Sequence, residues 1–255
     1  MPPAVEIRCD PGRFAEHEAL YLAVREREGR VLDVERIRAL PSPPSPGVAW
    51  EWRRRRDALR RLERHLAARP TARRVLDVGC GVGWMTARLA GGGARVLGID
   101  VVRPELERAA VAFGALEGVA FAFADVFDEV FPEAPFDLAV LASSAQYFPD
   151  LAKLLWRLLE LTRPDGEVVV LETPFYDARR CAEAAARTRR HYAALGVPDM
   201  AGRYHHHSWA ALCGFPVEVV YDPRTPRSRL ARRVLRLPWS PFPVVAVRPG
   251  GRPCA

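Results

Sequence analysis

The chain is 255 residues long, 49% hydrophobic and 27% charged, with a formal net charge of +7. That length suits one α/β domain carrying an extra segment, the composition excludes global disorder, and no apolar run approaches the roughly 20 residues that span a bilayer. Of the 38 basic residues only Lys153 is a lysine, so the arginine excess is chain-wide, and a solvated arginine-rich surface explains the charge better than a nucleic-acid or anionic-lipid partner.

The start, Met1-Pro2-Pro3-Ala4-Val5-Glu6, has no basic n-region and no apolar h-region, so no signal peptide is expected. The cysteines Cys9, Cys80, Cys181, Cys213 and Cys254 fit neither a CxxC metal pattern nor a disulfide framework, which points to a reducing cytoplasm. Residues 1–70 read as helical and irregular. Leu20, Ala23 and Val24 share the face of one helix, and Leu59, Leu62 and Leu66 the face of another. Between them Pro41-Ser42-Pro43-Pro44-Ser45-Pro46-Gly47 predicts an extended linker or loop.

From residue 73 strands and helices alternate. Val75-Leu76-Asp77-Val78 predicts a strand, Trp84 to Ala90 a helix, and Arg95 to Ile99 a second strand ending at Asp100. Pro104 suits the first turn of the next helix, where its missing N–H costs nothing. Leu106, Ala109, Ala110 and Phe113 follow at helical spacing. Val119 to Ala124 and Phe136 to Ala142 predict strands three and four, and Asp150 an N-cap for a helix facing inward through Leu151, Leu154, Leu155 and Leu158. Pro164-Asp165-Gly166 predicts a turn into a fifth strand, Glu167 to Glu172. Residues 177–195 predict a helix, and Val217 to Tyr221 and Val244 to Val247 two last strands. The fold class expected is α/β, a Rossmann-like doubly wound, mostly parallel seven-stranded sheet with a helical N-terminal segment.

The most informative stretch is Asp77-Val78-Gly79-Cys80-Gly81-Val82-Gly83-Trp84. A buried strand runs into glycines at alternate positions and then into a helix. Such a turn lets a ligand approach bare backbone and aims helix N–H groups at its anionic part. The spacing is Gly-x-Gly-x-Gly, not the dinucleotide fingerprint Gly-x-Gly-x-x-Gly. Asp77, two places before the first glycine, would repel a pyrophosphate but not a ligand carrying ammonium or sulfonium. Asp100, ending the second strand, can accept from ribose hydroxyls, and Asp125, ending the third, from an exocyclic amine. All three acids fall at carboxyl ends of adjacent strands, where open α/β sheets bind ligands. The alternative is that Asp100 and Asp125 merely cap helices.

This pattern resembles the class I S-adenosylmethionine-dependent methyltransferases over roughly residues 70–175. The resemblance implies that Asp77 to Gly83, including Gly79, Cys80 and Gly81, hold the methionine part of S-adenosyl-L-methionine. It implies that Asp100 binds the ribose, with Val101 also in the cofactor site, that Asp125 with Val126 lies by the adenine, and that the strand ending at Ala142 borders the transferred methyl. It further implies a cap over 1–70 and a methyltransferase domain over 71–255, with 177–215 and 222–241 as substrate-side lid or loop segments. Glu51-Trp52-Arg53, Ser143-Ser144-Ala145-Gln146-Tyr147-Phe148 and Glu172-Thr173-Pro174-Phe175-Tyr176 look like a bacterial branch of methyltransferase-domain proteins.

A sulfonium methyl is already activated, so transfer needs position above all, and a general base only where the acceptor loses a proton. His191, Tyr192, Tyr204, His205, His206 and His207 are the candidates, with no catalytic residue assigned among them. No metal site is expected, because adjacent histidines do not converge on one ion. Ala142-Ser143-Ser144-Ala145 lacks the prolines of the amino-methylating DNA enzymes, and no cysteine within residues 70–175 follows a proline as in cytosine carbon-5 enzymes. A small-molecule O, N or C acceptor therefore leads. Trp50, Trp52, Phe175 and Tyr176 are candidates to roof its pocket. The rivals are an RNA methyltransferase using arginine clusters and a non-catalytic cofactor-binding protein. Those clusters are Arg53 to Arg56 with Arg60, Arg61 and Arg64, and Arg224, Arg227, Arg229, Arg232, Arg233 and Arg236, which suit phosphates of RNA or an anionic headgroup.

Overall fold

The computed structural model describes residues 5–67, 74–128 and 131–251. The expected boundary at 70/71, residues 1–4 and Cys254 lie outside them. An eight-stranded sheet runs β1 (Glu6–Ile7), β4 (Val119–Phe123), β3 (Arg95–Asp100), β2 (Arg74–Val78), β5 (Phe136–Ala142), β6 (Thr162–Leu171), β10 (Val244–Val247), β9 (Val217–Tyr221). The first six are parallel, and β10 runs antiparallel to both its neighbours, β6 and β9. This is the doubly wound α/β sheet with one strand more than the seven expected. The addition is β1, which pairs Glu6 with Ala122 and Ile7 with Phe123 at the edge. It is too short for a period-two pattern to announce it.

Alternation along the strands builds two cores. Val75, Val96, Val140, Val169, Val244 and Ala246 face one side. There they meet α2 (Val34–Ala39), α3 (Ala49–Ala67), α4 (Trp84–Ala90) and α5 (Arg103–Phe113). Leu76, Leu97, Ala139, Val168, Val170 and Val245 face α6 (Leu151–Leu161). Asp150 caps α6 by accepting from Lys153 N at 2.9 Å. Pro164-Asp165-Gly166 does not precede the strand but sits in a bulge within β6. Phe136 pairs with Thr162 and Leu138 with Glu167, so the extra residues are looped out of register.

A third cluster joins distant parts of the chain over the carboxyl ends of the strands. Val24 of α1 (Ala15–Arg27) packs with Tyr192 of α7 (Ala178–Ala194) and with Val197 and Met200 of the turn that follows. Beside it, the two-stranded ribbon of β7 (Phe175–Tyr176) and β8 (His207–Ser208) ties the start of α7 to the end of that turn. The segment between β9 and β10 is not only loop: Pro226–Arg233 is helix α8, capped by Thr225. Among the described residues no helix is long and apolar enough to cross a membrane. Cys213 is disulfide-bonded, which corrects the expectation of unpaired cysteines and removes that argument for a reducing compartment. Cys9, Cys80 and Cys181 are free.

Candidate active site

The chain passes from β2 outward to β3 and β4, then returns to lay β5 on the other side of β2. The crevice of an open sheet opens at this switch point. The glycine turn leaves β2 there, and Ser143 leaves β5. Gly79 has φ +71°, and a Cβ on it would stand 2.5 Å from Cβ of Ser144. Gly81 has φ +52° with nothing within 4 Å of its would-be Cβ, so bare backbone faces open space. The turn is fastened from below: Gly79 N and Cys80 N donate to Ile99 O, at 2.8 and 3.0 Å, and Gly83 N donates to Cys80 O. With Gly81 N held by Asp100, these four N–H groups of the turn are taken up within the protein.

The three acids divide. Asp77 is 1% exposed and accepts from the Thr86 hydroxyl of α4 at 2.7 Å. Strand alternation turns it beneath the glycine turn, so the expected electrostatic meeting with ligand is replaced by a structural bond. Burial pushes its carboxyl up to about 7. Asp100 accepts from Gly81 N at 2.8 Å through Oδ2, and from Val101 N and Val102 N at 2.7 and 2.9 Å through Oδ1. Burial, set against these three donors, leaves it at about 6. Asp125 accepts from Phe127 N at 3.0 Å and pairs with Arg13 at 3.1 Å. Neither carboxylate caps a helix among the described residues, since α5 is capped at Val102 without a side-chain bond and a turn follows Asp125; both hold local backbone N–H groups and line a cavity.

That cavity, of about 500 Å³, holds Asp100, Val101, Asp125 and Val126 against Phe127, Phe148 and His205. A second, of about 430 Å³, holds Cys80, Gly81, Trp84 and Ala142 against Trp52 and the tyrosines. Tyr21, Gly79, Ser143 and Tyr147 line both, so the two chambers meet at the switch point. Ser143 has φ +59°, a strained conformation for a residue with a Cβ. It is held by Gln146 Nε2 donating to its carbonyl at 2.6 Å, while Ser144 Oγ donates to Val78 O at 2.6 Å. Burial pushes the Cys80 thiol up, which suits packing and not nucleophilic chemistry.

The second chamber is built mostly from residues the sequence did not single out. Tyr21 and Tyr147 have ring centroids 5.8 Å apart, Tyr147 and Tyr204 5.9 Å, and Tyr192 and Tyr204 6.2 Å. Burial raises all four phenols, Tyr21 and Tyr204 to about 12, so each is a neutral donor. Arg55 lies between Glu51 at 3.0 Å and Glu172 at 2.9 Å, and Arg30 takes the same Glu51 at 2.9 Å. Burial pushes Glu51 up, but Arg55 and Arg30 outweigh it and hold the carboxyl below its usual value. Arg25 stacks over Tyr21 at 5.6 Å and reaches Glu105 only at 3.9 Å. The i, i+4 pairs Tyr21/Arg25 and Glu51/Arg55 were the signal available in the sequence.

The proton-transfer candidates separate likewise. His191 lines the second chamber, its Nε2 3.1 Å from Glu28 Oε1, and Tyr192 and Tyr204 line it too. His205 lines the first chamber. His206 Nε2 bonds Thr188 Oγ1 at 2.9 Å, and buried His207 donates to Ala145 O at 2.9 Å. Neither ring lines a chamber. Among the described residues no three His, Cys, Asp or Glu converge on a metal position. Of the expected roof only Trp52 lines a chamber, edge-on to Trp84 at 5.6 Å. Phe175 and Tyr176 face a separate groove, and Trp50 is 56% exposed beneath Arg54. The Arg53 to Arg64 run is no continuous patch: Arg55 turns inward, and Arg61 pairs with Asp57 and stacks on Tyr221.

A family model described as a methyltransferase domain matches residues 49–214. The chain is 37% identical over 118 residues to nocamycin O-methyltransferase of Saccharothrix syringae, covering 39% of this chain and 42% of that protein. It is 32% identical over 103 residues to the chloroplastic tocopherol O-methyltransferase of Arabidopsis thaliana, covering 39% and 30%. The matches thus span less than half the length of these relatives. Among solved structures it resembles an S-adenosylmethionine-dependent methyltransferase from Mesorhizobium loti, with TM-score 0.53 and 26% identity, over 78% of this chain and 98% of that one.

Proposed function

The chain belongs to the methyltransferase-domain family of class I S-adenosylmethionine-dependent enzymes, and from that premise we propose that it methylates a small molecule seated in the tyrosine-lined second chamber. The observation that carries the reading is the junction of two chambers at Gly79, Ser143, Tyr21 and Tyr147. One chamber has acids at strand ends and suits a nucleoside; the other suits an acceptor. The names of the two O-methyltransferase relatives favour oxygen as the accepting atom, ahead of nitrogen or carbon.

The residues fit the cofactor. Open space over Gly81 admits a ligand against the backbone. A carboxylate has about four acceptor directions, and Asp100 spends three on backbone N–H groups, which leaves one for a ribose hydroxyl. Asp125, Val126 and Val101 would flank the adenine, and Gly79, Cys80, Gly81 and Ala142 the methionine part; Gly83, packed against Phe121 and Ala109, lies outside both chambers and shapes the turn. Asp77 acts as a positioning residue through Thr86. When bound, the cofactor supplies a methyl already activated by its sulfonium. The chain's own work is to hold the acceptor against Tyr147 and Ser143, to exclude water with the α1–α7 cap, and to take the acceptor's proton. His191 is the base the geometry offers, with Glu28 on Nε2 leaving Nδ1 to receive that proton. Nucleic acid is the less favoured acceptor, because the two chambers are walled by cap residues.

The test is transfer of isotopic methyl from S-adenosylmethionine into a fractionated cell extract, beside calorimetry with S-adenosylhomocysteine. Label in the small-molecule fraction is expected. Label confined to RNA would overturn the acceptor, and absence of any cofactor heat would overturn the enzyme reading.

A further inference from the structure

The segment from Arg224 to Leu237 is folded inside out. In α8 the residues turned to the protein are small, Ser228 at 4% and Ala231 at 3% exposure. Arg232 fastens this inner side by donating to Ser228 O and Pro223 O. The large aliphatic side chains point the other way: Leu230 is 53% exposed, Val234 67%, Leu235 59% and Leu237 41%. Single exposed aliphatics are ordinary, but four within eight residues form a patch that asks for a partner.

Around them stand Arg227, Arg229, Arg233 and Arg236, all exposed. None makes an ion pair among the described residues, whereas Arg224 is held by Asp222. No acidic residue occurs between Arg224 and Leu237. We propose that α8 and its continuation to Leu237 dock on an anionic membrane surface, with the aliphatic side chains entering the acyl boundary and the arginines meeting headgroup phosphates.

Three partners suit parts of this surface, and one suits all of it. RNA would neutralise the arginines but leave Leu230, Val234, Leu235 and Leu237 in water. A second copy would cover the aliphatics but press like charges together without a carboxylate between them. An anionic bilayer satisfies both, since a basic helix with an exposed apolar face lies in the interface plane and each arginine gains from the negative surface potential. The proposal does not depend on methyl transfer, because the patch lies outside both chambers.

The experiment is co-sedimentation of the full chain with vesicles of phosphatidylcholine alone and with about one-third phosphatidylglycerol. Partition into the anionic vesicles is expected to exceed that into neutral ones by about tenfold or more at low salt, and to fall as salt rises. Replacing Leu230, Val234, Leu235 and Leu237 by serine should cut it about tenfold with the charge unchanged. Replacing Arg227, Arg229, Arg233 and Arg236 by glutamine should cut it as much and remove the salt dependence. Thermal melts report whether each variant folds. Val234→Trp keeps the apolar surface and should show blue-shifted emission with anionic vesicles, so the test survives if the serine variant does not fold. No partition of the parent chain, or full partition of a folded serine variant, would overturn the proposal. So would RNA binding that the serine variant keeps and the glutamine variant loses, if vesicles do not compete for it.

Discussion

Asp100 holds Gly81: the carboxylate ending β3 accepts the N–H of the turn that leaves β2, at 2.8 Å. A residue the sequence assigns to the ligand thus also sets the shape of the loop that would cradle it. Asp100→Ala removes both functions. Hydrogen bonds to a charged acceptor are worth about 1.5–3 kcal/mol each, so affinity for S-adenosylhomocysteine should fall at least about tenfold. Calorimetry checks this, and a variant that binds normally would place the ribose elsewhere. The melting temperature should fall too, because Gly81, Val101 and Val102 lose their acceptor.

Asp77 gives a pH prediction. Its folded value of about 7 lies above the ordinary 3.8. The folded state therefore keeps a proton that the unfolded chain releases. The stability this proton contributes is full below the ordinary value and is lost as pH rises through about 7. Asp77→Asn is neutral at every pH and retains an oxygen for the Thr86 hydroxyl. It should be more stable than the parent by about 1–3 kcal/mol at about pH 8, with the gap closing toward about pH 4. Urea titrations at both pH values decide, and a pH-independent gap would remove the burial explanation.

Arg55 neutralises two carboxylates, Glu51 and Glu172. Breaking a buried pair by removing one partner costs about 3–5 kcal/mol. Arg55→Met should destabilise by about that much, and adding Glu172→Gln should recover part of it. Denaturant midpoints measure both, and full additivity of the two changes would show that the groups are not coupled.

His191 separates binding from chemistry. General bases contribute about 10²–10⁴-fold to rate. His191→Ala should slow methyl transfer by about a hundredfold while leaving S-adenosylhomocysteine affinity unchanged, and Glu28→Gln should do less. Single-turnover label transfer reads the rate. An unaffected rate would mean that the acceptor needs no base or takes another.

Much of this fold was legible because its signals are local. The strands from Val75 to Leu171 are apolar runs bounded by glycine, proline or acid, and Asp150 announces α6. β1 was not legible, because two residues at an edge carry no pattern. Nor was α8, whose Pro226 and arginines lack a periodic apolar face toward the protein. At the site, Asp100 and Asp125 were found by their place after strands. Asp77 was read as facing the ligand, although Val75 on the same side of β2 shows that it points into the helix-covered core. The second chamber was largely hidden because its walls come from α1, α3, α7 and the turn after β5, segments brought together only by tertiary packing. Arg55 was masked by its neighbours, since a run of four arginines does not show which one turns inward.

Tyr21 and Tyr147 stand in the walls of both chambers. Whatever shifts either ring alters the two volumes together, so occupancy on one side is felt on the other. Equilibrium linkage makes such an influence reciprocal: the factor by which a nucleoside ligand changes acceptor affinity equals the factor by which the acceptor changes that of the nucleoside. A dead-end ligand for either chamber then reports on both.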